Sequence, residues 1–206
     1  MKNLLRSTIL AAGVLLPFAA TAASPEAAPV QALDDALIAT MKAGSAGQGF
    51  DARVAALGPV VESSYNLAEV EKNSVGFLWS TIPAAQQQEL AAQFEKFTVA
   101  SYVAEFAKYG GEKIELLPTE KTVGADKIVE TQIVPADGSA PTRLDYVVSD
   151  GPMGWQITDV LLNGTISQVA IHSSDFSSLV TSGDATQLID ALKKKTATLA
   201  SSSGSL

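Results

Sequence analysis

Apolar residues recur three or four positions apart through the first half of the chain, which is the spacing of amphipathic helices. This spacing predicts helices over Val30–Lys42, Phe50–Ser63 and Asn66–Ser80. We expect Gly58-Pro59 to kink the second helix or divide it in two, because proline lacks the amide donor that a helix interior needs. Asn66 is a favoured N-cap residue, so it suits the start of the third helix.

A fourth and longer helix is predicted from Ala84 to Tyr109. Pro83 stands where proline is favoured at a helix start, and Gly110-Gly111 is a strong stop signal. At 1.5 Å per residue the segment is ~39 Å long. The apolar stripe of this helix consists of Leu90, Phe94, Phe97, Tyr102, Phe106 and Tyr109. So many aromatic residues on one face either fill a core or line a cavity, and the spacing alone allows both.

After Glu112 the apolar residues alternate with polar ones, which is the period of β-strands. Four strands are predicted, at Lys113–Leu117, Lys127–Pro135, Thr142–Ser149 and Gly154–Leu162. The short connections between them are rich in Gly, Asp and Pro, the residues of hairpin turns. Short links join antiparallel neighbours, so we expect a four-stranded antiparallel meander.

Helical spacing returns after Asn163-Gly164 through Ile166, Val169 and Phe176, and a last helix is predicted over Ala185–Leu199. The order of elements therefore predicts an α+β fold. In it the N-terminal helices and the long aromatic helix pack on the meander, followed by two C-terminal helices. We expect residues 30–200 to form one domain and residues 201–206 to be a disordered tail.

The first residues have the pattern of a cleavable signal peptide. Lys2 and Arg6 precede an apolar run, Ser7–Ala20, and small residues at Ala20-Thr21-Ala22 supply a cleavage site. A retained membrane anchor is the alternative, but the run is shorter than the ~20 residues that span a bilayer, and Pro17 interrupts it. We therefore expect residues 1–22 to be a signal peptide, residues 23–29 to be a linker, and the protein to be exported.

Composition narrows the possible chemistry. The chain has no Cys and one His, which removes thiolate nucleophiles, cysteine metal sites and histidine-rich metal sites. Its net charge is −8, and without Lys2 and Arg6 it has 12 basic against 22 acidic residues, about −10. Such a charge repels nucleic acid and anionic bilayers. We predict no metal, no cofactor, no nucleic-acid partner and no direct bilayer insertion.

Catalytic patterns are weak. His172 has Ser173, Ser174 and Asp175 beside it, but residues one or two apart on a helix do not face each other, so a surface histidine is the favoured interpretation. Asp145 and Asp159 lie on adjacent predicted strands and form a candidate acid–base pair. The favoured alternative pairs Asp145 with Arg143 or Lys127 and uses Asp159 as a structural cap. We therefore predict a binding protein rather than an enzyme, with an Asp145/Asp159 hydrolase as an open alternative.

Several segments resemble one protein family in their order and spacing. They are PTRLDYVVS (141–149), GWQITDV (154–160), the Asn163-Gly164 turn, DFSSL (175–179), and FEKFTVASYVAEFAKY (94–109) closed by Gly110. Together they resemble the soluble periplasmic component of the Mla phospholipid-transport systems, also called the toluene-tolerance auxiliary family. The resemblance covers roughly residues 66–192.

The resemblance implies a periplasmic carrier that binds a phospholipid by its acyl chains, without catalysis. Such carriers shuttle lipid between an outer-membrane lipoprotein complex and an inner-membrane ABC transporter bearing a lipid-binding ring. The implied lipid-binding residues are Val75, Trp79, Phe97, Tyr102, Phe106, Tyr146, Trp155, Val160 and Ile166. Two alternatives remain: a hopanoid-associated lipid carrier, and an envelope adaptor domain that has a filled core and binds no lipid.

Overall fold

Six α-helices and a five-stranded sheet occupy residues 24–203, the part of the chain that this computed structural model describes. The predicted signal peptide and residues 204–206 lie outside the described residues. The helices are α1 (Ala28–Ser45), α2 (Phe50–Ser64), α3 (Leu67–Val75), α4 (Ala84–Glu105), α5 (Gln168–Phe176) and α6 (Thr186–Ser203). The strands are β1 (Lys113–Val123), β2 (Asp126–Val134), β3 (Thr142–Gly151), β4 (Gly154–Leu162) and β5 (Ile166–Ser167).

The sheet is an antiparallel meander in the order β1-β2-β3-β4-β5. β3 and β4 pair closely, with Tyr146 opposite Val160 and Gly151 opposite Gly154 across the turn. Helices cover one face of the sheet. The predicted α+β fold is therefore confirmed, with a short fifth strand that the sequence did not predict.

The core lies between the helices and the sheet, and all six α-helices and the strands β2, β3 and β4 contribute buried apolar residues to it. Its fully buried members include Leu33 and Leu37 of α1, Leu57 of α2, Leu90 of α4 and Ile157 of β4. Pairs spaced three or four residues apart on each helix face inward together, which is why the helical periods were readable. Contacts with α2, α3 and α6 hold α4 in place, and α4 forms one wall of the site described below.

Helix α4 ends at Glu105, so the prediction that it reaches Tyr109 was wrong. The backbone of Phe106 already leaves the helical region, with φ −93° and ψ 54°. The buried Arg53 of α2 donates from Nη1 to the carbonyl oxygen of Val103 at 3.1 Å. This contact satisfies one of the carbonyl groups that a helix end leaves without a partner.

The chain beyond α4 is then held by the end of α1. The backbone N–H of Tyr109 donates to Ser45 Oγ at 2.7 Å. The carbonyl oxygen of Ala107 approaches Gly44 so closely that a Cβ added there would lie 2.0 Å from it. These contacts join residues far apart in sequence, so helical periodicity could not reveal where α4 ends.

The predicted third helix, Asn66–Ser80, is also shorter than expected. α3 ends at Val75 because Gly76 adopts a positive φ of 71°, and a 3-10 helix follows over Gly76–Thr81. In contrast, α2 is one helix that continues through Pro59, so it is not divided in two. Packing against α1 and α4 compensates for the hydrogen bond that proline removes.

Strand β1 continues to Val123, well past the predicted end at Leu117. Its pairing with β2 is irregular between Leu116 and Glu120, where Pro118 cannot donate to the ladder. A proline is tolerated there because β1 is an edge strand. At the other edge Ile166, which was predicted to be helical, lies in β5 and pairs with Leu162. Helix α5 therefore starts later, at Gln168, with Ser167 as its N-cap.

Helical structure extends into both of the predicted flanking segments. Helix α1 begins at Ala28, inside the expected linker of residues 23–29, and Ala27 is buried in the core. Helix α6 includes Ser201–Ser203, inside the expected disordered tail. Within residues 24–203, no helix combines the length and apolar character needed to cross a bilayer.

Candidate functional site

An apolar cavity of about 390 Å³ lies between α4, the covered face of the sheet and the helices α3 and α5. This volume is near the lower end of the ~300–1,000 Å³ range of small-molecule sites. Its lining residues are Tyr65, Leu67, Val70, Phe94, Phe97, Thr98, Ser101, Tyr102, Glu105, Phe106, Ile133, Thr142, Leu144, Tyr146, Asp159, Val160, Leu162, Gln168, Val169 and His172. Most of the lining is apolar or aromatic, which suits an apolar ligand.

Helix α4 supplies the aromatic wall. Phe94, Phe97 and Tyr102 lie on it at intervals that repeat one helix face, and Phe106 follows at its C-terminal end. The rings of Tyr102 and Phe106 are 6.0 Å apart between centroids. On the opposite wall, Tyr146 of β3 faces the same space. The sequence spacing of α4 therefore produces one continuous aromatic surface.

The tyrosine hydroxyl groups of the cavity are bonded within the protein. The hydroxyl groups of Tyr65 and Tyr102 form a short hydrogen bond with each other. The Tyr146 hydroxyl donates to Asp34 Oδ1 at 3.2 Å. Burial raises the pKa of each of these three tyrosines, so all three are neutral at neutral pH. Since these hydroxyl groups have protein partners, the tyrosines present mainly their rings to a ligand.

Asp34 is an unusual buried carboxyl group behind this wall. It is 2% exposed on α1, and its Oδ2 has no hydrogen-bond partner among the described residues. Burial raises its pKa from 3.8 to about 7, with the neighbouring Asp35 adding to the rise and the Tyr146 hydrogen bond opposing it. The carboxyl group is therefore partly protonated near neutral pH.

His172 lines the cavity, so its interpretation as a surface histidine was wrong. Its ring stacks on Phe176 at 5.3 Å and meets Phe94 edge-on at 5.9 Å between centroids. Burial lowers its pKa, so the ring is neutral at neutral pH. Phe176 follows His172 by four positions on α5, which places both rings on one helix face. That spacing was the available sequence signal for an inward-facing histidine.

The two candidate catalytic aspartates are held in separate structural networks. Asp145 is buried and pairs with Arg143, whose Nε lies 2.8 Å from Asp145 Oδ1. Asp159 Oδ1 accepts from the backbone N–H of Val169 at 3.1 Å, and its Oδ2 accepts from Ser167 Oγ. The predicted pairing of Asp145 with Arg143 and the predicted cap by Asp159 are therefore both present. Across the β3–β4 pair Asp145 is opposite Leu161, not Asp159.

Five of the nine residues proposed for lipid binding line this cavity, and four do not. The five are Phe97, Tyr102, Phe106, Tyr146 and Val160. Of the other four, Val75 ends α3 and Trp79 lies in the 3-10 helix. Trp155 of β4 pairs with Asp150 of β3, and Ile166 is 48% exposed on β5. Their part in binding stays a prediction that the cavity geometry does not favour.

Sequence reasoning missed other parts of the lining. Phe94 and Leu144 were on the predicted apolar faces, so periodicity could have included them. Tyr65 lies just after α2 and enters the wall through an isolated bridge to Ile157, which only the tertiary fold reveals. Within residues 24–203, no group of three or more His, Asp or Glu residues is placed to hold a metal ion.

Comparison with known proteins identifies the fold and the family of the chain. The fold is similar to that of a phospholipid-binding protein from Ralstonia solanacearum, whose structure was determined in complex with a phospholipid. The TM-score is 0.72 at 21% sequence identity, and the match covers 85% of this chain and 98% of that chain. No curated protein sequence matches the chain significantly. The family model described as MlaC protein matches residues 31–194, and the chain therefore belongs to the MlaC family.

Proposed function

We propose that the protein is a periplasmic carrier that binds a phospholipid by its acyl chains in the cavity, without catalysis. One observation carries the proposal: an apolar cavity lies open between α4 and the sheet where a filled core was the alternative. Burying acyl chain there is favourable by ~0.8 kcal/mol for each methylene group removed from water. Membership of the MlaC family and the phospholipid complex of the similar structure support the same ligand class.

The proposal also explains how polar groups are distributed along the cavity wall. An acyl chain offers no hydrogen-bonding group, and the deep wall has its tyrosine hydroxyl groups bonded to Asp34 or to one another. The deep wall therefore demands no hydrogen-bonding group from the ligand, which suits an acyl chain. An adaptor domain would need a filled core and an apolar surface for its partner, so the cavity weighs against that alternative.

Native mass spectrometry of the purified mature protein, followed by organic extraction, tests the binding. We expect a bound species whose mass is that of a phospholipid, retained in the gas phase and recovered in the extract. A bare polypeptide that also takes up no phospholipid on incubation would contradict the proposal. Recovery of a hopanoid instead would favour the hopanoid-associated carrier.

Shuttling between membrane complexes is the second half of the proposal and needs its own test. Lipid-loaded protein is mixed with the lipid-binding ring of an inner-membrane ABC transporter or with an outer-membrane lipoprotein complex. We expect labelled phospholipid to move between carrier and complex. Stable retention on the carrier with both complexes would contradict shuttling while leaving binding intact.

A further inference from the structure

The lining of the cavity divides into a buried apolar part and a more exposed polar part. Tyr65, Phe94, Leu144, Tyr146 and Val160 are buried. The polar lining residues are less buried than these, and we call them the rim: Thr98, Ser101, Glu105, Thr142, Asp159, Gln168 and His172. A ligand with apolar tails therefore places its tails against the buried part and its polar junction against the rim.

Gln168, the first residue of α5, has an unused donor at this rim. Its side-chain Nε2 is buried and has no hydrogen-bond partner among the described residues. Leaving a buried donor without an acceptor is unfavourable, and an acceptor supplied by a ligand would remove that cost. The terminal torsion of a glutamine side chain has broad minima, so the carboxamide can turn its donor toward the cavity.

The charges around Gln168 favour a neutral acceptor over an anion. The carboxylate of Asp159 already accepts from the backbone N–H of Val169 at the start of α5. Glu105 adds a second acidic side chain to the rim, and the described residues that line the cavity include neither Lys nor Arg. A phosphate would be repelled here, whereas a carbonyl oxygen would accept from Gln168 without that repulsion.

A cation stands at a different place beside the lining. Lys195 Nζ, on α6, lies 5.7 Å from the centroid of the Phe97 ring. A phosphate is therefore better placed beside Lys195 than beside the carboxylates of Asp159 and Glu105.

We propose that Gln168 donates a hydrogen bond to an acyl-ester carbonyl of the bound lipid, which makes the protein selective for ester-linked glycerolipids. This inference rests on the proposed function. In such a lipid the ester groups join the apolar tails to the polar head, so they lie at the boundary that the rim occupies. An ether-linked lipid has the same tails and head without the carbonyl acceptor, and a hydrocarbon polycycle lacks the ester as well.

The test is a competition between two phosphatidylcholines with chains of equal length, one diacyl and one dialkyl. Delipidated protein is incubated with an equimolar mixture, and the bound lipids are counted by native mass spectrometry. We expect the wild type to prefer the diacyl lipid by about fivefold, the size of one net hydrogen bond. Gln168→Met keeps the length and removes the donor, so its preference should fall to about one.

Gln93→Met is the matched control, since it makes the same change on α4 at a residue outside the cavity lining and should keep the preference. Thermal unfolding of the lipid-free Gln168→Met protein should match or exceed that of the wild type, because an unpaired donor is removed. Equal binding of the two lipids by the wild type would overturn the inference, as would a preference that survives Gln168→Met. Binding of neither lipid would overturn the proposed function as well.

Discussion

Phe106 stands at the point where core packing and ligand contact meet. It is 9% exposed, it follows the last residue of α4, and it lines the cavity beside Tyr102. A fully packed Phe truncated to Ala typically costs ~3–5 kcal/mol of stability. One side of this ring faces the cavity instead of neighbouring atoms, so fewer packing contacts are lost on truncation.

Phe106→Ala should therefore lower the free energy of unfolding of the lipid-free protein by only about 2 kcal/mol, while lipid retention falls markedly. Chemical denaturation and lipid counting by mass spectrometry measure the two effects. Leu90→Ala is the control on the same helix, since Leu90 is fully buried away from the cavity. A full core-sized loss of stability at Phe106 with unchanged lipid retention would place this ring in the core.

The buried Asp34 predicts how stability depends on pH. Its folded-state pKa is raised by burial from 3.8 to about 7, so in that window the folded protein keeps a proton that the unfolded chain has released. The free energy of unfolding therefore falls as pH rises from about 4 to 7. Above about pH 7 the contribution of Asp34 no longer changes with pH. Glu71, whose pKa burial raises to about 8, acts in the same direction.

Asp34→Asn should remove much of this pH dependence. At about pH 8 the variant should be more stable than the wild type by up to about 4 kcal/mol, and near pH 4 the two should be similar. Thermal unfolding across this pH range measures the difference. The control is Asp150→Asn, at an exposed aspartate near the end of β3, which should follow the wild-type curve. An Asp34→Asn curve parallel to the wild type would contradict the raised pKa.

Among the elements, α5 has its first turn bonded to β4 by one carboxylate. Asp159 of β4 accepts hydrogen bonds from Ser167 and from the backbone N–H of Val169, so it fixes the first turn of α5. Asp159→Ala should free this turn and speed hydrogen exchange at the α5 amides, without comparable change in α4. Exchange measured by mass spectrometry tests this. Asp175→Ala, exposed near the end of α5, is the control.

Unchanged protection of α5 in Asp159→Ala would contradict this anchoring role. The same aspartate had two possible roles from the sequence, a catalytic acid or a structural cap. The sequence favoured the cap, and the hydrogen bonds to Ser167 and Val169 agree with it. Local chemistry was sufficient here because both partners lie within ten residues of Asp159.

Elements whose apolar residues repeat with a clear period were predictable from the sequence. Element ends that tertiary contacts determine were not. β4 begins and ends where its alternating pattern predicted, at Gly154 and Leu162. The end of α4 was not readable, because Arg53 and Gly44 determine it from other helices. The site shows the same division: the α4 aromatics follow from spacing, whereas Tyr65 and Gln168 reach the cavity only through the fold.

In the whole molecule, the helices of this acidic protein pack against the sheet except in one region, where the two layers do not touch. Aromatic rings fill part of that space and leave about 390 Å³ unfilled. Apolar residues are also exposed elsewhere, with Phe77 89% and Met153 76% exposed. A lipid therefore has two kinds of apolar surface to bind, the cavity and the exposed side chains. We assign the acyl chain to the cavity.

The most direct test is photolabelling with a phospholipid that carries a diazirine near the end of one acyl chain. The bound complex is irradiated, and the labelled residues are identified by peptide mass spectrometry. We expect label on cavity residues such as Phe94, Tyr102 and Leu144. Label confined to Phe77 and Met153, with these cavity residues unmodified, would contradict it.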